Sequence, residues 1–168
     1  MSDSRIDFEA SANRAVVSEQ SLALIRRWLT QANCPSCTIT STSRTPAEQA
    51  RVMLANIEQQ GVDSQLALYL APGDAVIHEY QRCRAAGLDR AATLAAMTAK
   101  IVAVGPGTVS HHCADPAKLN IIDIAPASLA HPAAFLAVLQ AALAAGQLSR
   151  LLTPAQRDPA YHIEIPQR

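Results

Sequence analysis

The sequence predicts an α+β fold in which a small antiparallel sheet is packed by several helices. Helical periodicity dominates the earlier part of the chain, while short β-branched runs with polar neighbours cluster late. No regular alternation of strand and helix, the mark of a parallel α/β sheet, connects the two.

The opening residues, about 1–15, are polar and lack a clear period, and they read as a flexible leader. From Ser18 a helical pattern places Leu22, Ile25 and Leu29 on one stripe, broadened by Leu24 and Trp28, and ends near Asn33. Thr38 to Thr42 alternates β-branched residues and reads as a strand. Thr45 as N-cap, Pro46 at the first helical position and Glu48 three after the cap form a capping box. The helix they open buries Ala50, Met53, Leu54 and Ile57 and stops at Gly61.

Residues 62–72 receive no assignment. Pro72-Gly73-Asp74 reads as a turn and cap before a helix with Val76, Ile77 and Tyr80, which Gly87 ends. Asp89 caps an Ala-rich helix to about Val104, broken by Gly105-Pro106-Gly107. Thr108-Val109-Ser110 reads as a short strand, with Asn120 to Ile124 as its return, and a last helix runs from His131-Pro132 to Gly146. The terminal strand carries His162.

The 168 residues fit a single domain, and 49% hydrophobic residues suffice for a sizeable core. Lys plus Arg equals Asp plus Glu at 14 each, so no overall field recommends nucleic acid as a partner. The start, Met1 to Asp7, carries charges where a signal peptide needs an apolar core, and no run approaches transmembrane length. The expectation is synthesis without a signal peptide and no membrane insertion. Nothing in the composition specifies an oligomeric state.

Cys34-Pro35-Ser36-Cys37 has the spacing of a redox pair or half a zinc knuckle, but there is no second close pair. The four cysteines therefore read as small buried thiols, or as an opportunistic disulfide. Cys113, beside His112, is the cysteine nearest the candidate site.

The run from Ser110 to Asp123 concentrates the chemistry. It holds His111 and His112, then an aspartate flanked by Ile121, Ile122 and Ile124. A carboxylate in an apolar strand needs compensation, because burying an unpaired charge costs several kcal/mol or forces neutralisation. A metal ion supplies it, and Tyr161-His162-Ile163-Glu164 offers a further ligand, with His162 and Glu164 on one strand face. His112, Asp123 and His162 thus form a candidate two-His-one-carboxylate site. Strand alternation points His111 away from it, and His78 and His131 read as surface or capping residues. Without a metal, Asp123 reads as a buried acid paired with an arginine, and Arg44 as a surface ion-pairing residue.

Ser110-x-His112, Asp123 in an apolar strand and the terminal Tyr161-His162-Ile163-Glu164 together resemble a known family. It is that of the zinc D-alanyl-D-alanine carboxypeptidases and L-alanyl-D-glutamate endopeptidases of peptidoglycan stem peptides, in the superfamily of lysostaphin-type enzymes and the hedgehog domain. Ser43-Arg44-Thr45-Pro46-Ala47-Glu48-Gln49 looks like the family's Arg-Ser-x-x-x-Gln segment, and the three elements follow family order. The resemblance implies Zn²⁺ held by His112, Asp123 and His162 with one position left for water, whose pKa falls towards ~7. It implies Arg44 as oxyanion stabiliser, Gln49 as a support for its segment and Ser110 as a residue orienting a ligand.

Two departures accompany the match. His112 and Asp123 are eleven positions apart, wider than the family's usual spacing, which an enlarged loop absorbs. The family's usual acid position before the last His holds Pro159, so Asp158 ranks first as general base, with Glu164 as its rival or as an orienting partner. Asp158 before a proline also reads as an ordinary turn residue.

The expected function is that of a zinc metallopeptidase cutting an amide bond in peptidoglycan stem peptides. A phage lysis or tail enzyme, or an effector, would act in the periplasm or cell wall after non-classical delivery; a cytosolic dipeptidase fits the same residues. The alternatives are a non-catalytic peptidoglycan- or partner-binding module, and a structural protein of a phage or secretion particle.

Overall fold

A computed structural model describes residues 4–156 and 158–168. By internal contacts the chain divides into two compact units. One combines the described residues up to Ser43 with those from Asp115 onward, and the other is Arg44–Ala114. Among the described residues are seven α-helices and five strands, so the α+β class holds. The sheet is mixed rather than purely antiparallel.

The first unit contains β1 (Arg5–Phe8), α1 (Glu19–Gln31), β2 (Ser36–Thr42), β3 (Leu119–Ile124), α7 (Pro132–Ala144), β4 (Arg150–Leu152) and β5 (Tyr161–Pro166). Its sheet runs β1-β2-β3-β5-β4, with β1 parallel to β2 and the other neighbours antiparallel. Residues 5–8 are therefore a strand and not a leader; residues 1–3 lie outside the described residues. Ile6 and Phe8 pack against the core while Arg5 and Asp7 form an exposed ion pair, a period too short to stand out from the polar residues around it. Charges on such a strand also discourage pairing with other chains.

Ser18 caps α1, accepting from the Ser21 N–H at 3.0 Å. The stripe Leu22, Ile25, Trp28 and Leu29 is buried, and the Trp28 indole donates to Gln147. Pro132 opens α7, which buries Phe135, Leu139 and Ala142. These side chains join Cys37, Ile39, Ile122, Ile124, Tyr161, Ile163 and Ile165 in one core on one face of the sheet. The register is tied further by Asn120, 1% exposed, which accepts from Ser18 N–H and donates to the Val16 and Pro116 carbonyls.

The opposite face carries the polar residues, and its placement depends on a bulge. Ile39 pairs with Ile124, but Ser41, two residues on, pairs with Asp123, only one residue back. The extra residue, Thr40, resets the alternation, so Ser41 shares the face of Asp123 while Ile39 stays in the core. Ser43 then closes onto β3, its hydroxyl accepting from Ile121 N–H at 3.5 Å.

The second unit is helical: α2 (Pro46–Gln60), α3 (Val62–Leu68), α4 (Ala71–Ala85), α5 (Arg90–Val104) and α6 (Pro106–Val109), followed by a 3₁₀ turn at His111–Cys113. The Thr45–Glu48 capping box forms in both directions, at 3.2 and 2.7 Å. Ala50, Met53, Leu54 and Ile57 of α2 pack with Val76, Ile77, Met97 and Ile101. Pro72 and Gly73 lie inside the first turn of α4 rather than in a preceding turn. The strand expected at 108–110 is absent: after Gly105, at φ 96°, Pro106 restarts a helical turn, and the Thr108 hydroxyl donates back to the Val104 and Gly105 carbonyls.

Thr45→Ala should lower stability by about 1 kcal/mol in urea unfolding through loss of the cap. Phe135→Ala should lower it by about 3–5 kcal/mol through a cavity under the sheet. A Thr45→Ala loss as large as that of Phe135→Ala would show that the box does more than close a helix end.

Candidate functional site

Asp123 and His162 face each other directly across the β3–β5 ladder. His162 Nδ1 lies 2.8 Å from Asp123 Oδ1, and its Nε2 lies 3.3 Å from Glu164 Oε1, two residues along the same strand face. His162 is 6% exposed and Glu164 5%. Arg150 on β4, paired with Glu164 in register, brings its Nη1 to 3.9 Å from the Glu164 carboxylate. One imidazole therefore sits between two carboxylates in a nearly dry setting. Burial works against its charged form, but the hydrogen bonds and charges of Asp123 and then Glu164 outweigh it and hold the His162 pKa above the ordinary histidine value.

The expectation that His162 and Glu164 share a face holds. The Asp158 carboxylate accepts from Ala160 N–H at 3.0 Å, the bonding of a turn residue that orders the entry to β5.

His112 and Arg44 belong to the helical unit. His112 sits in the 3₁₀ turn rather than on a strand, and the Ser110 hydroxyl caps that turn by accepting from His112 N–H at 3.3 Å. The His112 carbonyl accepts from Arg44 N–H at 2.5 Å. The Arg44 guanidinium donates to Gln49 Oε1 at 3.1 Å, so Gln49 supports this segment as expected. His111 is exposed, as are His78 and His131; for His111 the helical turn, not strand alternation, sets its direction.

As a donor set, His112, Asp123 and His162 can hold a metal ion, each offering one ligand atom. Two imidazoles and a carboxylate suit zinc and other first-row divalent ions. The carboxylate on the second nitrogen of His162 is the partner a ligating histidine ordinarily has, since it fixes the tautomer and ring direction.

The cysteines are buried thiols at 34, 37 and 83, as expected. Burial, then the Asp7 and Cys34 charges, push Cys37 up to about 12. Burial pushes Cys113 up to about 11, with Arg44 lowering it and Glu48 raising it. Burial thus favours the protonated thiol at both positions. Sequence reasoning missed Tyr69 and Arg150. Tyr69 lies in the unassigned 62–72 stretch, and Arg150 reaches Glu164 only through strand pairing. No described helix is long and apolar enough to cross a membrane.

Comparison with protein-family models, with curated proteins and with solved structures finds no match.

In chelator-treated protein, His162 should titrate above the ordinary histidine value when followed by NMR, and Asp123→Asn should bring it down. A folded pKa above the unfolded one means the pair's stabilisation is complete below the unfolded value and is lost as pH rises through the folded value. An Asp123→Asn protein with an unchanged His162 titration would show that Asp123 does not hold the proton.

Proposed function

We propose that the protein is a zinc-dependent peptidase acting on an amide bond of peptidoglycan stem peptides. The observation that carries the reading is the part-buried Asp123–His162 pair at 2.8 Å with Glu164 on the second imidazole nitrogen. An apolar sheet has little use for two carboxylates around one imidazole unless a cation is to be held there. The ordered motifs around Arg44, His112, Asp123 and His162 add the family resemblance.

His112, Asp123 and His162 would hold the ion, which when bound supplies Lewis-acid polarisation of the scissile carbonyl and a more acidic attacking water. Arg44 stabilises the oxyanion as a cation that keeps its proton at any working pH. Glu164 bonds the distal nitrogen of His162 and orients the ring, because the two ring nitrogens point in divergent directions. That leaves Asp158 as the general base, one carboxylate oxygen engaged in its turn. Peptidoglycan fragments would reach such a site in the cell wall or periplasm.

Elemental analysis of protein purified without added metal or chelator should find about one zinc per chain, and almost none in His112→Ala or His162→Ala. Arg44→Ala should keep the metal and lose about 100-fold or more in turnover of peptidoglycan fragments. Asp158→Ala should also keep the metal and lose turnover; an active Asp158→Ala enzyme moves the base to Glu164. Metal without hydrolysis would favour a binding module, and no uptake of zinc would favour a structural protein.

A further inference from the structure

Two hydrogen bonds in the helical unit define a directed chain. Arg44 can only donate, so its 3.1 Å bond fixes the side-chain oxygen of Gln49 toward the guanidinium. The Gln49 amide nitrogen then faces away and donates to the Tyr69 hydroxyl oxygen at 3.3 Å. Tyr69 accepts in this bond and keeps its own O–H proton, for which no acceptor lies among the described residues.

The chain is built in, not incidental. Gln49 is 1% exposed, and a buried amide is tolerated only where its polar ends are bonded. The Tyr69 ring occupies space that Gly73 leaves open: a Cβ at Gly73 would come within 2.5 Å of the ring. Burial raises the Tyr69 hydroxyl above its ordinary pKa despite the Arg44 charge and the Gln49 bond, so the phenol stays protonated at neutral pH. A polarised sequence of donors ending in a free O–H has its strongest use at an anion.

We infer that Arg44, Gln49 and Tyr69 form one oxyanion receptor, with the guanidinium and the phenol O–H as its two donors and Gln49 as the strut that sets their spacing. Its ligand class is a compact oxyanion. In the peptidase reading, on which this identity of the ligand rests, it is the oxygen that gains charge when an amide carbonyl becomes tetrahedral. Tyr69 is then a second donor to that oxygen, and Gln49 a positioning residue.

Inorganic phosphate, a tetrahedral oxyanion, tests the receptor apart from turnover. It is titrated calorimetrically into the chelator-treated full chain. Phosphate should bind the parent, bind Tyr69→Phe about tenfold more weakly and fail to bind Arg44→Ala. Tyr69→Phe keeps the ring against Gly73 but removes the acceptor of the buried Gln49 amide, so its thermal midpoint should fall by a few degrees with the fold retained. Gly73→Ala, which keeps every donor but displaces the ring, should weaken phosphate as Tyr69→Phe does. In turnover of peptidoglycan fragments, Tyr69→Phe should lower kcat about 100-fold with KM little changed. Absence of phosphate binding to the parent, or equal affinity in Tyr69→Phe, would overturn the receptor whatever the activity. Phosphate binding that weakens in Tyr69→Phe, with no hydrolysis by any form of the protein, would uphold the receptor and remove the peptidase reading.

Discussion

The hydrogen bond between Asp123 and His162 is the constraint on which the sheet unit depends. Both residues lie on inner strands, β3 and β5, and both are largely withdrawn from water. Each is a polar group on an otherwise apolar strand, and the two face each other in only one register. A slip of one residue would drive Asp123 into the position of Ile122 or Ile124, among the core side chains of α1 and α7. The Thr40 bulge, the Asn120 bonds to Val16, Ser18 and Pro116, and the Ser43–Ile121 contact all fix that register. The apolar face supplies the driving force for folding, and the polar bonds decide which pairing the driving force selects.

The helical unit uses a different device to hold its functional groups. Arg44 precedes the Thr45 cap of α2, so helix formation itself defines where its backbone goes. The Arg44 N–H to the His112 carbonyl, Ser110 beneath the His112 N–H, and Gln49 on the guanidinium then fix the two residues through short bonds rather than through burial. Groups held this way can be rigid while only half-buried.

Local signals that carry their own mechanism were legible in the sequence. The capping box at Thr45, Asp89 as an N-cap, Pro132 at a helix start and the alternation around His162 act within a few residues, and each appears as expected. The β1 strand was hidden because four residues carry only two periods, and its assignment comes from pairing with β2. The segment before His112 misled because Thr108 and Val109 favour strands intrinsically, whereas Gly105 and Pro106 impose a helical turn. Tyr69 and Arg150 became visible as partners only through contacts distant in sequence.

The sequence by itself determined the boundaries of α1, α2, α5 and α7, the α+β class and the choice of Asp123, His162 and Glu164 as the unusual polar residues of apolar strands, since caps, periods and misplaced charges are local properties. Tertiary structure decided that Asp123 faces His162, that Glu164 takes the other ring nitrogen and that Gln49 bridges Arg44 to Tyr69. Those outcomes depend on strand register, on one bulge residue and on the space left by Gly73. These are set by the packing of residues far apart in the chain, and no short window of sequence contains them.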